Sequence, residues 1–291
     1  VTWLTLAVAL AADGPPTGFV HRVSREPLPA RLVERPLVCP TGWTELRLGV
    51  ARTRWPHRSL RPVPGELVRS EATASLRTSV GGGVELAATV PWVDLSTGTV
   101  AGSGLGSSTV GLAWMPGRDE APARSVSLGL SWTAPSAHPR LPLGSATHQL
   151  RPALRARVQW GGLRLTGGVG ARWAPEGPAA WLRDATGAVQ RADPGDALLG
   201  HGEALLQAGF LWGELGVDGG WVGPDRLDGV VVTAAGLGGA VRQRGGLQLS
   251  RGLTVGVEGW QPLGARSPQL APAADPLAPG TGLGAFTEWS L

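Results

Sequence analysis

From Gly81-Gly82-Gly83, apolar residues run outward in both directions at every second position. On one side stand Ala72, Ala74, Leu76 and Val80, with Thr78 among them; on the other stand Val84, Leu86, Ala88, Val90 and Trp92. The positions between carry Arg69, Glu71, Arg77 and Glu85. Side chains alternate faces along a strand and glycine supplies the positive φ of a tight turn, so the stretch predicts a β-hairpin with one apolar and one charged face. The same alternation continues to the end of the chain and predicts about twelve strands. They fall near 43–54, 66–80, 83–93, 106–115, 125–134, 148–160, 163–173, 202–212, 214–222, 236–250, 253–262 and 281–291. The tenth is the hardest to bound, because its glycine-rich sequence reads equally as one bulged strand or as a strand and a loop.

The connections sort into two kinds. Tight turns are predicted at Gly81–Gly83, at Gly161-Gly162, around Gly213 and at Arg251-Gly252, with an intermediate link in MPGRDEAPAR. Residues 54–66, 93–105, 134–147, 174–201 and 263–280 form long connections, and 223–229 a shorter one. A soluble sandwich has no reason to alternate short turns with long loops. Outer-membrane barrels do, with short periplasmic turns and longer extracellular loops.

Tryptophan placement tests this independently, because aromatic side chains gather at both membrane interfaces of such barrels. Trp114, Trp160, Trp212 and Trp289 fall where strands approach the short turns, and Trp92, Trp132, Trp173 and Trp221 where they approach the long loops. All eight read in phase with the apolar residues of their strands, as two girdles on one face. Trp260 breaks the pattern, falling in phase with Thr254, Gly256 and Glu258. The opposite face carries Arg47, Arg69, Glu71, Arg77, Glu85, Arg151, Arg155, Arg157, Arg164, Arg172, Glu203, Glu214, Asp218, Glu258 and Glu288. In a soluble protein these would form a solvated outer face over a core of Ala, Val and Leu, with Trp ringing its ends. An outward apolar band around a polar interior fits better. The expected fold is all-β: an antiparallel up-and-down transmembrane β-barrel of about twelve strands over residues 43–291, with both termini periplasmic.

Ahead of the barrel, VTWLTLAVALAADGPP has the apolar run and A-x-A pattern of a signal peptide over residues 1–12, without a basic start. Residues 13–42 then read as a Pro-rich periplasmic segment. The last strand, TGLGAFTEWSL, places Leu283, Ala285, Trp289 and Leu291 on one face. It resembles the C-terminal strands by which the outer-membrane assembly machinery recognises barrels, with Leu in place of a terminal aromatic.

Composition changes this picture little. Lys, Asn, Ile and Tyr are missing, so all 26 basic residues are Arg and a pI near 10.9 accompanies a formal charge of only +4. The arginines are spread over alternating positions instead of clustering with aromatics, which argues against nucleic acid as a partner. Cys39 is single and reads as an unreactive thiol. The five histidines show no ligand spacing, so neither a metal nor a cofactor is expected. GSGLGS, Gly102–Ser107, precedes a strand instead of a helix and reads as a flexible loop, not a phosphate cradle.

Four stretches, ERPLVCPTGWTELRLGVA, GVELAATVPWV, GLGSSTVGLAW and GGLQLSRGLTVGVEGWQPLG, together resemble the outer-membrane transporter barrels grouped as the MetA-pathway-of-phenol-degradation family, from Glu34 to Leu291. The resemblance implies a monomeric barrel in outer-membrane lipid that passes or binds a small organic or hydrophobic solute, and it transfers no catalytic residues. If the lumen is open, Arg151, Arg155, Arg157, Arg164 and Arg172 form a basic ladder facing an acidic one of Glu203, Glu214 and Asp218, with Arg77 and Glu85 below. Such ladders set ion preference and orient dipolar solutes. They equally well pair and rigidify a plugged lumen. A lipid hydrolase of the same fold would need a Ser and a His at the outer rim, for which Ser145, His148 and His201 are the candidates. Its orienting Asn cannot exist in this chain, so no enzyme is expected. A structural or adhesive barrel with partner-binding loops is the third reading.

Overall fold

A computed structural model describes residues 27–55, 67–96, 101–116, 123–136, 141, 143–263 and 280–291. The expected signal peptide, the start of the Pro-rich segment, and His21, His57 and His138 lie outside them. Within the described residues, seventeen strands follow a short 3-10 turn at Leu32–Glu34: β1 Thr44–Trp55, β2 Leu67–Gly81, β3 Val84–Ser96, β4 Ala101–Leu105, β5 Thr109–Trp114, β6 Arg124–Thr133, β7 Gln149–Trp160, β8 Leu163–Arg172, β9 Gly177–Arg183, β10 Val189–Asp193, β11 Ala197–Ala208, β12 Leu211–Val222, β13 Asp225–Leu227, β14 Val230–Thr233, β15 Gly236–Ser250, β16 Leu253–Leu263 and β17 Thr281–Ser290.

Thirteen of these form one antiparallel sheet that closes on itself through β1–β17 and β2–β3. β4 and β5 both pair with β3 and continue one another across residues 106–108, so the wall is a twelve-stranded barrel. Closure leaves no sheet edge in the wall, the condition for a sheet to cross a bilayer. The wall strands stand where the sequence places them except at the following points, the first being that β11 begins at Ala197, within the expected 174–201 loop. The stretch 93–105 is no long loop: β3 runs on to Ser96 and pairs with β4. GSGLGS is therefore wall strand and break, not a flexible loop, and Gly106 has no room for a Cβ beside Val93 and Pro91. The turn expected around Gly213 is made instead by Gly209 (φ +61°) and Phe210, with Ala208 opposite Leu211.

That displaced turn corrects one girdle residue. Moving it puts Trp212 on β12 instead of at the end of the preceding strand and reverses its face. Trp212 is buried, 8 % exposed, inside the barrel. The other seven keep the lipid-facing phase: Trp92, Trp132, Trp173 and Trp221 ring the long-loop end, and Trp114, Trp160 and Trp289 the tight-turn end, with Trp289 half-buried. Between the rings the outer face is Leu, Val, Ala and Gly, as at Leu86, Leu112, Leu154, Val169 and Val217. An apolar belt this extensive is stable only against lipid. Val217→Arg, at mid-height on that belt, is expected to cost about 2–4 kcal/mol, read as a lower urea midpoint for loss of the compact gel form. A neutral result would contradict the lipid-facing assignment.

The first hairpin turn shows why glycine is required there. Gly81, Gly82 and Gly83 all have positive φ (+96°, +60°, +72°), and a Cβ on Gly83 would run into the Met115 carbonyl. Gly83→Ala is expected to destabilise by more than about 1 kcal/mol, whereas Gly82→Ala, whose Cβ meets only open space, costs less; paired urea titrations would show the difference.

The long-loop end carries structure the alternation pattern does not announce. β9 and β10, within 174–201, pair with β13 and β14, from the connection expected to be shorter, in a separate four-stranded sheet around Ala146, Ala179 and Ala192. Three- to seven-residue strands with a bulge between β9 and β10 give too little periodicity to detect. Between β6 and β7, Leu141 and Leu143 lie inward: they pack on Trp55, Leu67, Val93 and Leu95 of the inner wall, and Arg69 donates to the Leu143 carbonyl (3.2 Å).

Candidate functional site: the barrel lumen

Two residues per period along each strand separate lipid from lumen, so a charge placed between apolar neighbours is turned inward by the pleat alone. Each predicted lumen residue stands on that inner face. The structure then divides them. Arg77, Arg155, Arg164, Glu203, Glu214 and Asp218 line a cavity of about 550 Å³, whereas Glu85, Arg151, Arg157 and Arg172 do not.

Of the four that do not, Glu85, Arg157 and Arg172 hold chain segments and Arg151 bonds to a neighbour on its own strand. Arg172 donates to the carbonyls of Pro194 (3.2 Å) and Gly195 (3.1 Å) at the long-loop end, and Arg151 to Gln149 Oε1. Arg157, 2 % exposed, donates to the carbonyls of Arg35 and Glu34. Glu85 accepts from the Cys39 amide (2.5 Å) and from Arg77 (2.8 Å).

Those contacts expose what the sequence did not place: residues 28–40 lie within the tight-turn end of the barrel. Leu32 and Val33 enter an apolar cluster with Leu205, Trp212 and Phe286 on the inner wall. The backbone of the segment has no regular partner beyond one 3-10 turn, and wall side chains satisfy it instead. Gln207 accepts from the Val33 amide (3.1 Å) through Oε1, Gln248 donates to the Ala30 carbonyl (2.9 Å), Arg164 to Leu32 (3.2 Å) and Arg77 to Leu37 (3.1 Å). Arg35 reaches Glu45 (3.5 Å) and Glu288 (3.1 Å). Proline-rich backbone suits this position, because it offers carbonyls without demanding amide partners. Cys39 is buried in the same segment.

Above this plug the carboxylates of the wall are matched by arginine. Arg77 joins Glu45 (2.9 Å) and Glu85. Arg164 and Arg244 bracket Glu203 and Glu214, Arg242 faces Asp218 (3.4 Å), and Arg47 meets Glu258 (2.8 Å) while its guanidinium lies 3.9 Å from the Phe286 ring centre. Sequence reading misses Arg35, Glu45, Arg242 and Arg244. The last two are legible: they stand at alternate positions of the strand hardest to bound, Arg244 opposite Glu214 and Arg242 opposite Gly216, diagonal to Asp218. Arg35 and Glu45 are not, since nothing in a Pro-rich lead announces that it enters a barrel. Trp260 is on the inner face, as its phase indicates, with its indole over Gly282.

The hydrolase candidates are not brought together. Ser145 is buried and bonded to Thr147 and Gln149, and His148 is exposed on the outer face, where it stacks on Trp132 with ring centres 5.5 Å apart. His201 lines the cavity. Among the described residues no three His, Cys, Asp or Glu side chains are grouped to hold a metal.

With this geometry in view, the chain is similar in structure to known outer-membrane barrels. An outer-membrane channel from Pseudomonas putida F1 superposes with a TM-score of 0.69 at 13 % identity, covering 87 % of this chain and 97 % of that one. The NanC porin superposes with a TM-score of 0.52 at 10 % identity, covering 85 % of this chain and all of that one. No protein-family model matches the chain, and no curated protein matches it. The shared property is the outer-membrane β-barrel fold, which in this chain is a closed barrel of twelve strands with a charged lumen.

Proposed function

We propose that this barrel is a narrow passage for small solutes across the outer membrane, with residues 28–40 restricting its periplasmic end. The observation that carries this reading is the 550 Å³ cavity enclosed by a charged inner wall. A barrel whose interior served stability alone would be filled by side chains, as packed small barrels are. Leu141 and Leu143, packed on the inner wall at the opposite end, support selection by size. Passage is by diffusion through the lumen, and the arginine and carboxylate ladders set which solutes enter. Wall closure within a single chain supports a monomer inserted by the outer-membrane assembly machinery. The short apolar motifs quoted above support kinship with the MetA-pathway-of-phenol-degradation barrels, and with it an organic solute.

Osmotic swelling tests the passage. Proteoliposomes in isosmotic arabinose are expected to swell faster than empty liposomes, and more slowly in raffinose than in arabinose. Equal rates with and without protein would overturn the proposal, and equal arabinose and raffinose rates would overturn its narrowness.

A further inference from the structure

Among the lumen cations, Arg155 differs. It projects from the inner face of β7 into the cavity and is exposed there, and among the described residues it makes no hydrogen bond or ion pair, while every carboxylate around the cavity already has an arginine. His201 stands two strands away at the same level: both Arg155 and His201 are opposite Gly168 in register, and the imidazole lies over that glycine, where any side chain would collide with it. An uncompensated guanidinium and an imidazole thus face the same cavity, and the missing side chain of Gly168 leaves the room the imidazole occupies. Six strands round the wall, Phe286 on β17 lines the same cavity, with Trp212 at 6.0 Å between ring centres.

We propose that the cavity binds a small monoanionic organic acid, with its carboxylate on Arg155 beside His201 and its apolar body against Leu205, Trp212 and Phe286. This rests on the reading of the lumen as a solute site and adds the class of solute. One uncompensated charge selects a monoanion, because a second negative charge would have to compete with Glu203 and Asp218 for their partners. The guanidinium fork matches a carboxylate in two parallel hydrogen bonds. The volume falls within the roughly 300–1,000 Å³ of small-molecule sites, and such sites combine an apolar lining with few polar anchors.

Equilibrium binding to the detergent-purified protein tests this without requiring transport. Benzoate and its uncharged isostere benzamide would be titrated calorimetrically into wild type, Arg155→Gln and Arg155→Lys, each first shown to have the compact, heat-modifiable gel mobility of a folded barrel. Wild type is expected to bind benzoate at least about tenfold tighter than benzamide. Arg155→Gln is expected to lose that ratio, and Arg155→Lys to keep part of it. Equal affinity for the two ligands, no binding of either, or a ratio unchanged in Arg155→Gln would overturn the assignment. Displacement of benzoate by sulfate at equal concentration would overturn the role of the apolar wall. Swelling in arabinose is independent of all these outcomes, so failure here leaves the passage itself standing, and failure there leaves this site standing.

Discussion

Replacing Arg77 by methionine is expected to destabilise the folded barrel by about 3 kcal/mol, the largest effect of any single substitution in the lumen. Arg77 joins three elements that meet at the tight-turn end: Glu45 on β1, Glu85 on β3 and the Leu37 carbonyl of the plug. Both carboxylates are buried, at 6 % and 5 % exposure. Removing one partner from a buried pair costs about 3–5 kcal/mol, chiefly because the remaining charge is left without compensation. The lower end applies because cavity water reaches Arg77 and because Arg35 still faces Glu45. Glu85 keeps only the Cys39 amide. The measurement is the urea midpoint for conversion of the compact to the extended gel form. Arg77→Met combined with Glu85→Gln should recover part of the loss, since the second change removes a stranded charge. A single variant as stable as wild type would show that this cluster does not hold the barrel and plug together.

Deleting residues 28–38 is expected to leave a folded barrel and to raise its single-channel conductance roughly threefold or more, because lumen width is otherwise set by strand number. The wall closes on its own hydrogen-bond ladder, so no strand depends on the segment for pairing. What the deletion removes is Leu32 and Val33 from their apolar cluster and the carbonyls that Arg157, Arg164 and Gln248 hold. Those side chains then face water, which can satisfy them, and the cavity opens to the tight-turn side. Planar-bilayer recording of wild type and deletion side by side gives the ratio, with heat-modifiable mobility as the check on folding. Equal conductance would mean that some other constriction limits flow.

Almost all of the wall is legible in the sequence, for a physical reason. A strand with lipid on one side and water on the other must alternate, and a barrel that threads a membrane must alternate short and long connections. Both regularities survive in plain sequence, so the twelve strands and the inward direction of Arg77, Arg155, Glu203 and Asp218 follow from period and phase. Errors arise where period fails. The alternation turns Trp212 outward because Gly213 reads as the turn that Gly209-Phe210 makes; Trp212 is thereby counted on the preceding strand, whose outward residues are even-numbered, when it belongs to β12, whose outward residues are odd-numbered. The small sheet of β9, β10, β13 and β14 escapes because its strands are too short to show a period. The plug escapes for a deeper reason: its backbone is held by side chains more than a hundred residues away, among them Arg157, Gln207 and Gln248, and no local pattern encodes such contacts. The site is therefore half visible, with the charges of the wall on the page and the segment that engages several of them hidden.

The central claim is that the apolar face of the alternating strands meets lipid and the charged face encloses water. Leu86 and Ala87 are neighbours on β3: Leu86 is exposed on the outer belt, and Ala87 lines the cavity. The direct measurement places a nitroxide at Leu86→Cys or Ala87→Cys, in a Cys39→Ser background, and compares collision with oxygen and with a water-soluble nickel chelate in reconstituted bilayers. The label at 86 should collide with oxygen and be shielded from nickel, and the label at 87 should show the reverse. Weak oxygen collision at 86 would contradict the account by making the apolar face a packed soluble core, and nickel access at 86 with shielding at 87 would contradict it by putting that face in water.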